Sequence, residues 1–547
     1  MIAAHPNGKA PMLPSLLHRA VAALCALALG LGSPGPATAQ PAANNLPSLG
    51  DPASEDFGVG AERRLGEQVM REIRRDPDYL DDPLLLEYLE GLWQPLVARA
   101  RALGHIGPDL DERFAWEVFL VRDRSVNAFA LPGGYIGVHL GLIGMTASRD
   151  ELASVLAHEL SHVTQRHIAR NFANSKRQSL ISAAGLILGI LAASRAGNAD
   201  VANAAIVGSQ AAAIQGQLNF SRDMEREADR IGYSVLTGAG YSPGGMAAMF
   251  EKLDQAARLN DSGAFPYLRS HPLTSERIGE ARARLGTADG ARVAPTLEHA
   301  LAQARARVLM DPRTDALRRW QATDAELAAG APLADRLAAV AQSALASTLL
   351  RDWERADAAL KRADELLRGN GRQGTEPRAE RGTPEPRAER AVALLRVQSL
   401  LARGDAARAA TVLQPWAGDG SRPAALWAAQ VALAAQPAVA PADAALKRAA
   451  DELQARLAGR ALDAGAWATL GQVWARLGQP LRALRAEAES RFAVGDLPGA
   501  AERLRAGQRL ARSGAPADFI EASVIDARLR DIETQRKQEL TLDRQAP

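Results

Sequence analysis

The stretch that decides the fold is His158-Glu159-Leu160-Ser161-His162. Its two histidines are four residues apart, so on a helix they share one face and can bind the same metal ion. The glutamate between them can accept a proton from water at that ion. Catalytic zinc takes three protein ligands and keeps one position open. The pentapeptide therefore predicts a zinc-binding helix whose third ligand comes from another part of the chain.

The residues before the pentapeptide predict that this helix is buried. Residues 149–157, RDELASVLA, carry acidic side chains near their start and apolar side chains at helical spacing. Such a helix packs its apolar face into the protein core, and we expect the two histidines to face inward with it.

A second acidic segment, residues 221–229 with the sequence SRDMEREAD, offers the third ligand. Its Glu225 and Asp229 are again four residues apart on one predicted helix face. We interpret Glu225 as the ligand, with a plain salt-bridge residue as the alternative. Asp229 is predicted to accept a hydrogen bond from the non-ligating nitrogen of a zinc histidine, which fixes the orientation of that ring. Glu227 points away, since two residues turn a helix by about 200°.

His167 is another candidate ligand close to the pentapeptide. In the pattern HExxHxxGxxH the third histidine would stand at position 168 and a glycine at 165, but the chain has Ile168 and Gln165 there. On an unbroken helix His167 also lies about 180° from His158. We therefore predict that His167 is an exposed or capping residue and not a ligand.

These residues resemble a family of zinc metallopeptidases that includes the CAAX prenyl protease and the HtpX-like heat-shock proteases. The resemblance covers residues 57–285. It depends on four segments in the family's order, namely residues 127–134, 158–162, 221–229 and 270–278. It implies an α+β fold, with a mostly helical HExxH catalytic domain of the gluzincin type, a small β-sheet and one Zn²⁺ per chain.

The resemblance also gives roles to the segment Ser270-His271-Pro272. From its residues alone this segment reads as a loop, and His271 as a surface turn histidine. In the family reading His271 approaches the metal. It then either stabilises the oxyanion of the reaction or occupies the open coordination position as a reversible self-inhibitory ligand. Arg277 is expected to assist it in catalysis.

A β-strand beside the zinc helix is the predicted substrate site. Residues 117–121 read as a strand before a Pro132-Gly133-Gly134 turn, and residues 135–138 read as a second strand after it. A strand edge holds an extended peptide through main-chain hydrogen bonds. The predicted substrate-binding residues are Asn127, Ala128, Phe129 and Ala130. A plain β-hairpin without a binding role is the alternative.

The N-terminus predicts export to the periplasm. Residues 1–39 contain Lys9 and Arg19, an apolar run and the cleavage sequence Ala37-Thr38-Ala39, as a signal peptide does. Its removal takes the basic and acidic residues from 65 and 63 to 63 and 63, because no acidic residue precedes position 40. The neutral mature chain does not have the basic character of a nucleic-acid-binding protein. It also loses Cys25, the single cysteine, so no disulfide is expected.

Two domains are predicted after the signal peptide. Residues 40–299 form the metallopeptidase domain, and residues 300–547 form an Ala-, Leu- and Arg-rich helical repeat domain. Residues 369–390, with a duplicated Glu-Pro-Arg-Ala-Glu-Arg, are predicted as a flexible insertion. A tetratricopeptide (TPR) pattern is carried by Trp467, Leu470, Gly471, Trp474, Gly478 and Ala483. Stacked repeats present a concave surface for protein partners, and ordinary helical packing is the alternative.

Residues 180–214 are apolar and rich in small side chains. The run is shorter than a membrane span. Two interpretations remain open. The run is either a helical hairpin packed beside or over the active site, or a lid that makes peripheral contact with a membrane.

Together these observations predict a zinc-dependent endopeptidase of the cell envelope. Its zinc ligands are His158, His162 and Glu225, and Glu159 is its general base. The resemblance implies misfolded or stalled outer-membrane proteins as substrates and the outer-membrane assembly machinery as a partner of the TPR-like domain. A chaperone or assembly scaffold with latent proteolysis is the main alternative, and a zinc amidase is a third possibility.

Overall fold

The computed structural model describes residues 57–174, 221–259, 265–285, 295–326, 330–369, 385–435, 441–512 and 519–545. The predicted signal peptide and the apolar run 180–214 lie outside these ranges. Up to residue 285 the described chain is an α+β structure, as predicted. Its strands are β1 Tyr79–Leu80, β2 Glu117–Val121, β3 Ala128–Leu131 and β4 Tyr135–His139. Its helices are α1 Val59–Arg74, α2 Pro83–Ala102, α3 Pro108–Arg113, α4 Leu140–Met145, α5 Arg149–Thr164, α6 His167–Asn174, α7 Arg222–Gly238, α8 Gly244–Leu259, α9 Pro266–Ser270 and α10 Ser275–Leu285.

The four-stranded sheet has the order β1-β2-β4-β3. The strand predicted at residues 117–121 is confirmed as β2, and the strand predicted from Tyr135 extends to His139 in β4. The two do not form a hairpin, because β2 runs parallel to β4. The hairpin partner of β4 is β3, which joins it through the turn at Gly133 and Gly134, both with positive φ. Among the described strands β3 therefore lies at an edge of the sheet.

Helix α5 lies in the centre of the catalytic region, and fifteen of its residues are buried. Its first turn is capped by Ser148, whose side chain accepts a hydrogen bond from the backbone of Glu151. Helix α7 crosses α5 at Gly232, where an added Cβ would lie 3.1 Å from the carbonyl oxygen of Ala157. A side chain at position 232 would separate the helices, so this glycine permits the close approach that brings the acidic face of α7 to α5.

From residue 297 onward the described chain is helical. The helices are α11 Leu297–Leu309, α12 Thr314–Glu326, α13 Leu333–Leu349, α14 Trp353–Gly369, α15 Pro386–Ala402, α16 Ala406–Leu413, α17 Arg422–Ala434, α18 Pro441–Gly459, α19 Ala464–Arg476, α20 Pro480–Ala493, α21 Leu497–Arg512 and α22 Phe519–Gln545, with a 3₁₀ turn at Gln414–Trp416. The boundary predicted between residues 299 and 300 falls inside α11. Of the predicted insertion, residues 386–390 are helical, and residues 370–384 lie outside the described ranges.

Helices α19 and α20 carry the residues of the repeat pattern. Leu470 and Trp474 are buried in α19, and Ala483 is buried in the facing helix α20. Gly478, between the helices, has a φ of 70°, a left-handed conformation in which glycine avoids the steric cost of a side chain. The pattern thus corresponds to a helix-turn-helix unit. No helix in the described ranges is long and apolar enough to cross a membrane.

The helical region packs against α2 through ion pairs. The buried guanidinium of Arg305 donates to both carboxylate oxygens of Asp82, at 2.8 and 2.7 Å. Three further pairs join the same surface of the catalytic region to later helices or to the loops that flank them: Arg390 with Glu87, Arg422 with Asp81, and Arg460 with Glu90. We call this contact surface the junction.

Candidate metal centre

The two motif histidines lie side by side on α5. His158 and His162 are buried, with exposures of 1% and 0%, and their Nε2 atoms are 3.0 Å apart. Glu225 reaches them from α7, with one carboxylate oxygen 3.5 Å from His158 Nε2 and the other 3.4 Å from His162 Nε2. The three residues predicted as ligands from their spacing therefore converge.

His271 joins the same cluster, although its residues alone suggested a surface turn. It is 1% exposed, and its Nδ1 lies 3.0 Å from a Glu225 oxygen and 3.3 Å from His158 Nε2. Potential ligand atoms of the four residues lie within 4.8 Å of one another. The ring of Tyr267, one turn earlier, stacks on His271 at a centroid distance of 4.7 Å. The surface-turn interpretation is therefore wrong.

The donor atoms fit a metal ion. The Nε2 atoms of His158 and His162 lie 3.0 Å apart, so either a hydrogen on one of them or a cation must lie between them. Burial lowers the pKa of His162 well below its usual range, which favours the neutral imidazole that a metal ligand must be. Three imidazoles and a carboxylate form a donor set that suits Zn²⁺. The residues present therefore match a zinc site.

Asp229 lies where the sequence predicted. Its Oδ1 is 2.9 Å from His158 Nδ1, the nitrogen that faces away from the cluster. Burial opposes protonation of His158, but the hydrogen bonds with Asp229 and Glu225 outweigh it and raise the pKa of His158 to about 9. A carboxylate at this position holds the ring with Nε2 directed at the centre.

Arg277 contacts the carboxylates of this cluster. Its Nε and Nη2 donate to the two oxygens of Asp229 at 2.7 and 2.8 Å, and its Nη1 lies 2.7 Å from Glu225 Oε2. Nη1 also donates to the carbonyl oxygen of Pro272, the residue after His271. Arg277 therefore balances the negative charge of both acidic residues and ties the His271 segment to them.

Glu159, the predicted general base, is fully buried beside the cluster. Neither of its carboxylate oxygens has a hydrogen-bond partner of good geometry among the described residues, and His271 Nε2 lies 3.4 Å from Oε1. Burial raises the pKa of the Glu159 carboxyl, while His271 and His158 oppose the rise. A buried carboxyl with a raised pKa beside a metal cluster is suited to take up a proton and hold it.

The predicted substrate-binding residues form the edge strand β3 and the residue before it. Ala128 is buried and pairs with Val138 of β4, while Phe129 and Ala130 are half-buried. The buried Asn127 accepts a hydrogen bond from the His139 backbone N–H through its own carbonyl oxygen. Strand β3 packs directly on α5. A strand edge thus lies beside the helix that carries Glu159.

Residues 101–285 match the family model described as Peptidase family M48. This part of the chain is therefore similar to that family. The match spans β2 to β4, α5, α7 and the His271 segment, and it confirms the family resemblance drawn from the four sequence segments. The match and the His/Glu cluster support a metalloendopeptidase domain in residues 101–285.

Individual relatives extend the M48 match. The β-barrel assembly-enhancing protease of Escherichia coli is 35% identical over 273 residues, which are 50% of this chain and 53% of the relative. A Vibrio cholerae relative named after the same protease is 38% identical over 270 residues, 49% of this chain and 53% of the relative. The mitochondrial metalloendopeptidase OMA1 of Schizosaccharomyces pombe is 33% identical over 165 residues, 30% of this chain and 44% of the relative. The chain thus aligns with about half the length of the first two relatives.

The prediction that His167 is an exposed residue is wrong, although it is not among the four residues whose ligand atoms converge. His167 is fully buried, and its Nδ1 lies 2.9 Å from His162 Nδ1. Helix α5 ends at Thr164, and Arg166 takes a φ of 52° before α6 begins, so the helical angle from His158 does not carry over. Glu227 points away from the metal cluster, as predicted, but it contacts His167 Nε2 at 3.1 Å. Neither contact has a signal in the sequence, because both depend on the chain reversal at Arg166.

Proposed function

We propose that this protein is a zinc-dependent endopeptidase of the cell envelope. The observation that carries the proposal is the convergence of His158, His162 and Glu225 with the buried carboxyl of Glu159 beside them. In this assignment the three converging residues hold one Zn²⁺ and Glu159 is the general base. The M48 domain supports the assignment, because its members are metallopeptidases.

The residues of the centre suggest how the chain cleaves a peptide bond. Bound Zn²⁺ would supply the Lewis acid that polarises water and the scissile carbonyl. Glu159 takes the proton of the attacking water and then delivers it to the leaving amine. Its raised pKa helps it hold that proton between the two steps. Asp229 keeps His158 in orientation, and Arg277 keeps Asp229 ionised and pairs with Glu225.

The edge strand β3 is the proposed substrate site. An extended polypeptide would add to β3 by main-chain hydrogen bonds, with its scissile bond near Glu159 on the adjacent helix α5. Because main-chain hydrogen bonds do not depend on the side chains of the substrate, we expect broad substrate specificity. Asn127, Ala128, Phe129 and Ala130 are the residues assigned to this site. Binding of unfolded polypeptides in extended form is what a quality-control protease needs.

The envelope role is inferred from the relatives and the N-terminus. Two relatives carry the name of a β-barrel assembly-enhancing protease. We infer a periplasmic location, with misfolded or stalled outer-membrane proteins as substrates. The helices from α11 to α22 are assigned as TPR-like repeats that bind the outer-membrane assembly machinery. The helix-turn-helix unit of α19 and α20 with Gly478 supports this assignment.

The decisive test is Glu159→Gln. An amide cannot accept the proton of water, so cleavage of casein should fall by about 10² to 10⁴-fold while zinc stays bound. A matched control is Glu67→Gln, which changes a partly exposed glutamate in α1. Chelator treatment of the wild type should abolish cleavage, and zinc should restore it. Near-normal cleavage by Glu159→Gln would overturn the assignment. Partner binding by Glu159→Gln then shows whether the scaffold role persists without proteolysis.

His271 gives a second test, because its two proposed roles predict opposite signs. Its position among the ligand atoms supports the self-inhibitory role, in which it takes the open coordination position at rest. His271→Ala should then raise basal cleavage of casein. Loss of an oxyanion donor would instead lower turnover by about 10² to 10³-fold. A rate within twofold of the wild type would reject both roles.

A further inference from the structure

His167 and Glu227 extend the metal centre on the side of His162. His167 Nδ1 lies 2.9 Å from His162 Nδ1, and His167 Nε2 lies 3.1 Å from Glu227 Oε2. Glu227 Oε2 also accepts a hydrogen bond of 2.9 Å from Arg170 Nη1. His162 and His167 have no exposed surface. A linear series of contacts therefore runs from His162 towards the surface.

One arrangement of protons satisfies every contact in this series. For His162 to direct an unprotonated Nε2 at the centre, its Nδ1 must carry the hydrogen and donate it to His167 Nδ1. His167 then carries its own hydrogen on Nε2 and donates it to Glu227. Glu227 stays ionised, because it also accepts from Arg170. The far end of the series thus fixes which nitrogen of His162 faces the metal.

The backbone conformation at Arg166 brings His167 next to His162. Arg166 is one of three described non-glycine residues with positive φ, a conformation that is sterically unfavourable for a residue with a side chain. Its guanidinium donates to Glu62 at 3.0 Å and to the carbonyl oxygen of Phe57 at 2.6 Å, and it is buried. These contacts with α1 and with the residue Phe57 before it hold the reversal that returns His167 to His162 after α5 has ended.

The geometry points to His167 as a positioning residue for the metal ligand His162, held in turn by Glu227. It acts as the counterpart of Asp229, which contacts His158 Nδ1 at 2.9 Å. The two ligand histidines are therefore supported by different chemistry, a carboxylate for His158 and an imidazole for His162. This inference depends on the proposed zinc site.

The test compares two replacements of His167 by zinc affinity. His167→Leu fills similar space but has no acceptor. His167→Asn places an amide oxygen on Cγ, where Nδ1 stands, and can still accept from His162. Loss of such a partner typically weakens a metal site by about 10 to 100-fold. We therefore expect competition with a chromophoric chelator to show that loss for His167→Leu, with faster zinc dissociation, and to show near wild-type affinity for His167→Asn.

The control is His299→Leu, which removes a different buried histidine that contacts Tyr88 and the Thr146 carbonyl oxygen. It should lower thermal stability without changing zinc affinity. In ¹⁵N-histidine spectra of the zinc-loaded protein, the Nδ1–H signal of His162 should persist in His167→Asn and exchange rapidly with water in His167→Leu.

Zinc affinity of folded His167→Leu within twofold of the wild type would overturn the inference. Equal losses in His167→Asn and His167→Leu would also overturn it, since they would reduce His167 to a packing residue. Should His167→Leu fail to fold, Glu227→Gln provides the second measurement, with an expected smaller loss of affinity; no loss in that variant would overturn the role of Glu227. A wild type that binds no zinc would refute the proposed function itself, a result distinct from any of these.

Discussion

The metal centre and the junction are both held by arginine and carboxylate side chains, but the two regions differ in burial. At the centre, the side chains of Arg277, Glu225 and Asp229 are between 2% and 5% exposed. At the junction, three of the pairs have side-chain exposures between 12% and 48%. Arginine–carboxylate pairs are therefore shielded from solvent at the centre and partly exposed to solvent at the junction.

This difference determines what each pair contributes. A buried carboxylate that loses its cation keeps an uncompensated charge in a medium that cannot solvate it. A partly exposed carboxylate is solvated by water when its partner is removed, so its pair adds little stability. We therefore expect substitutions at the centre to affect both folding and metal binding, and substitutions at the rim of the junction to affect neither strongly.

The largest expected effect is that of Arg277→Gln. It leaves Asp229 and Glu225 buried without their cation, and the free energy of unfolding should fall by about 3 to 5 kcal/mol. Chemical denaturation of the metal-free protein measures this loss. Arg226→Gln is the matched control, because Arg226 pairs with Asp223 and Glu276 on the surface of the same region. Equal stabilities for the two variants would contradict the contrast between the centre and the surface.

Arg305→Gln is expected to have the next largest effect. Arg305 and Asp82 are the buried pair of the junction, with both side chains 8% exposed. Loss of two charge-assisted hydrogen bonds should destabilise the protein by about 2 to 3 kcal/mol. Limited proteolysis should then separate the helical region from the catalytic region more readily than in the wild type. Unchanged proteolysis and stability would show that the junction does not depend on this pair.

The sequence predicted the features that follow from a single helical or extended period. Residues four apart on α5 and on α7 share a face, so the sequence is sufficient to predict that Glu225 and Asp229 face the histidines together. The strand at 117–121 was recognised for a similar reason. Only the family resemblance predicts that His271 lies near the metal, because a loop has no regular spacing from which to infer the direction of a side chain.

The failures concern contacts between distant parts of the chain. The prediction for His167 assumes an unbroken helix, whereas the chain reverses at Arg166, whose guanidinium is held by Glu62, 104 residues away. No glycine or proline marks the reversal. The predicted boundary at 299 and 300 cuts α11, because Ala302 and Ala306 belong to the core of the catalytic region while Leu301 and Ala304 belong to that of the next helices. The amino-acid composition changes near residue 300, but α11 packs continuously across that position against both cores.

A titration at the junction gives a smaller expected effect. Burial lowers the pKa of His299, whose Nε2 donates to the Thr146 carbonyl oxygen and whose Nδ1 accepts from Tyr88. As pH falls below about 6.5, the unfolded chain takes up a proton that folded His299 resists, so stability declines with a slope of at most about 1.4 kcal/mol per pH unit. His299→Gln should flatten the stability profile between pH 6.5 and 5. Parallel profiles for both proteins would show that His299 titrates alike in the folded and unfolded states.

The smallest expected effect is that of Arg460→Ala, at the exposed end of the junction. Arg460 Nη1 lies 2.6 Å from Glu90 Oε1, but the two side chains are 48% and 33% exposed. Water replaces the lost partner, and the freed side chain regains its rotamers, so the change in unfolding free energy should be about 0.2 to 1 kcal/mol and should shrink in high salt. Denaturation at two salt concentrations, beside Arg305→Gln, measures the difference. A loss from Arg460→Ala as large as that from Arg305→Gln would mean that burial does not set the strength of the junction pairs, and the contrast between the two regions would need another physical cause.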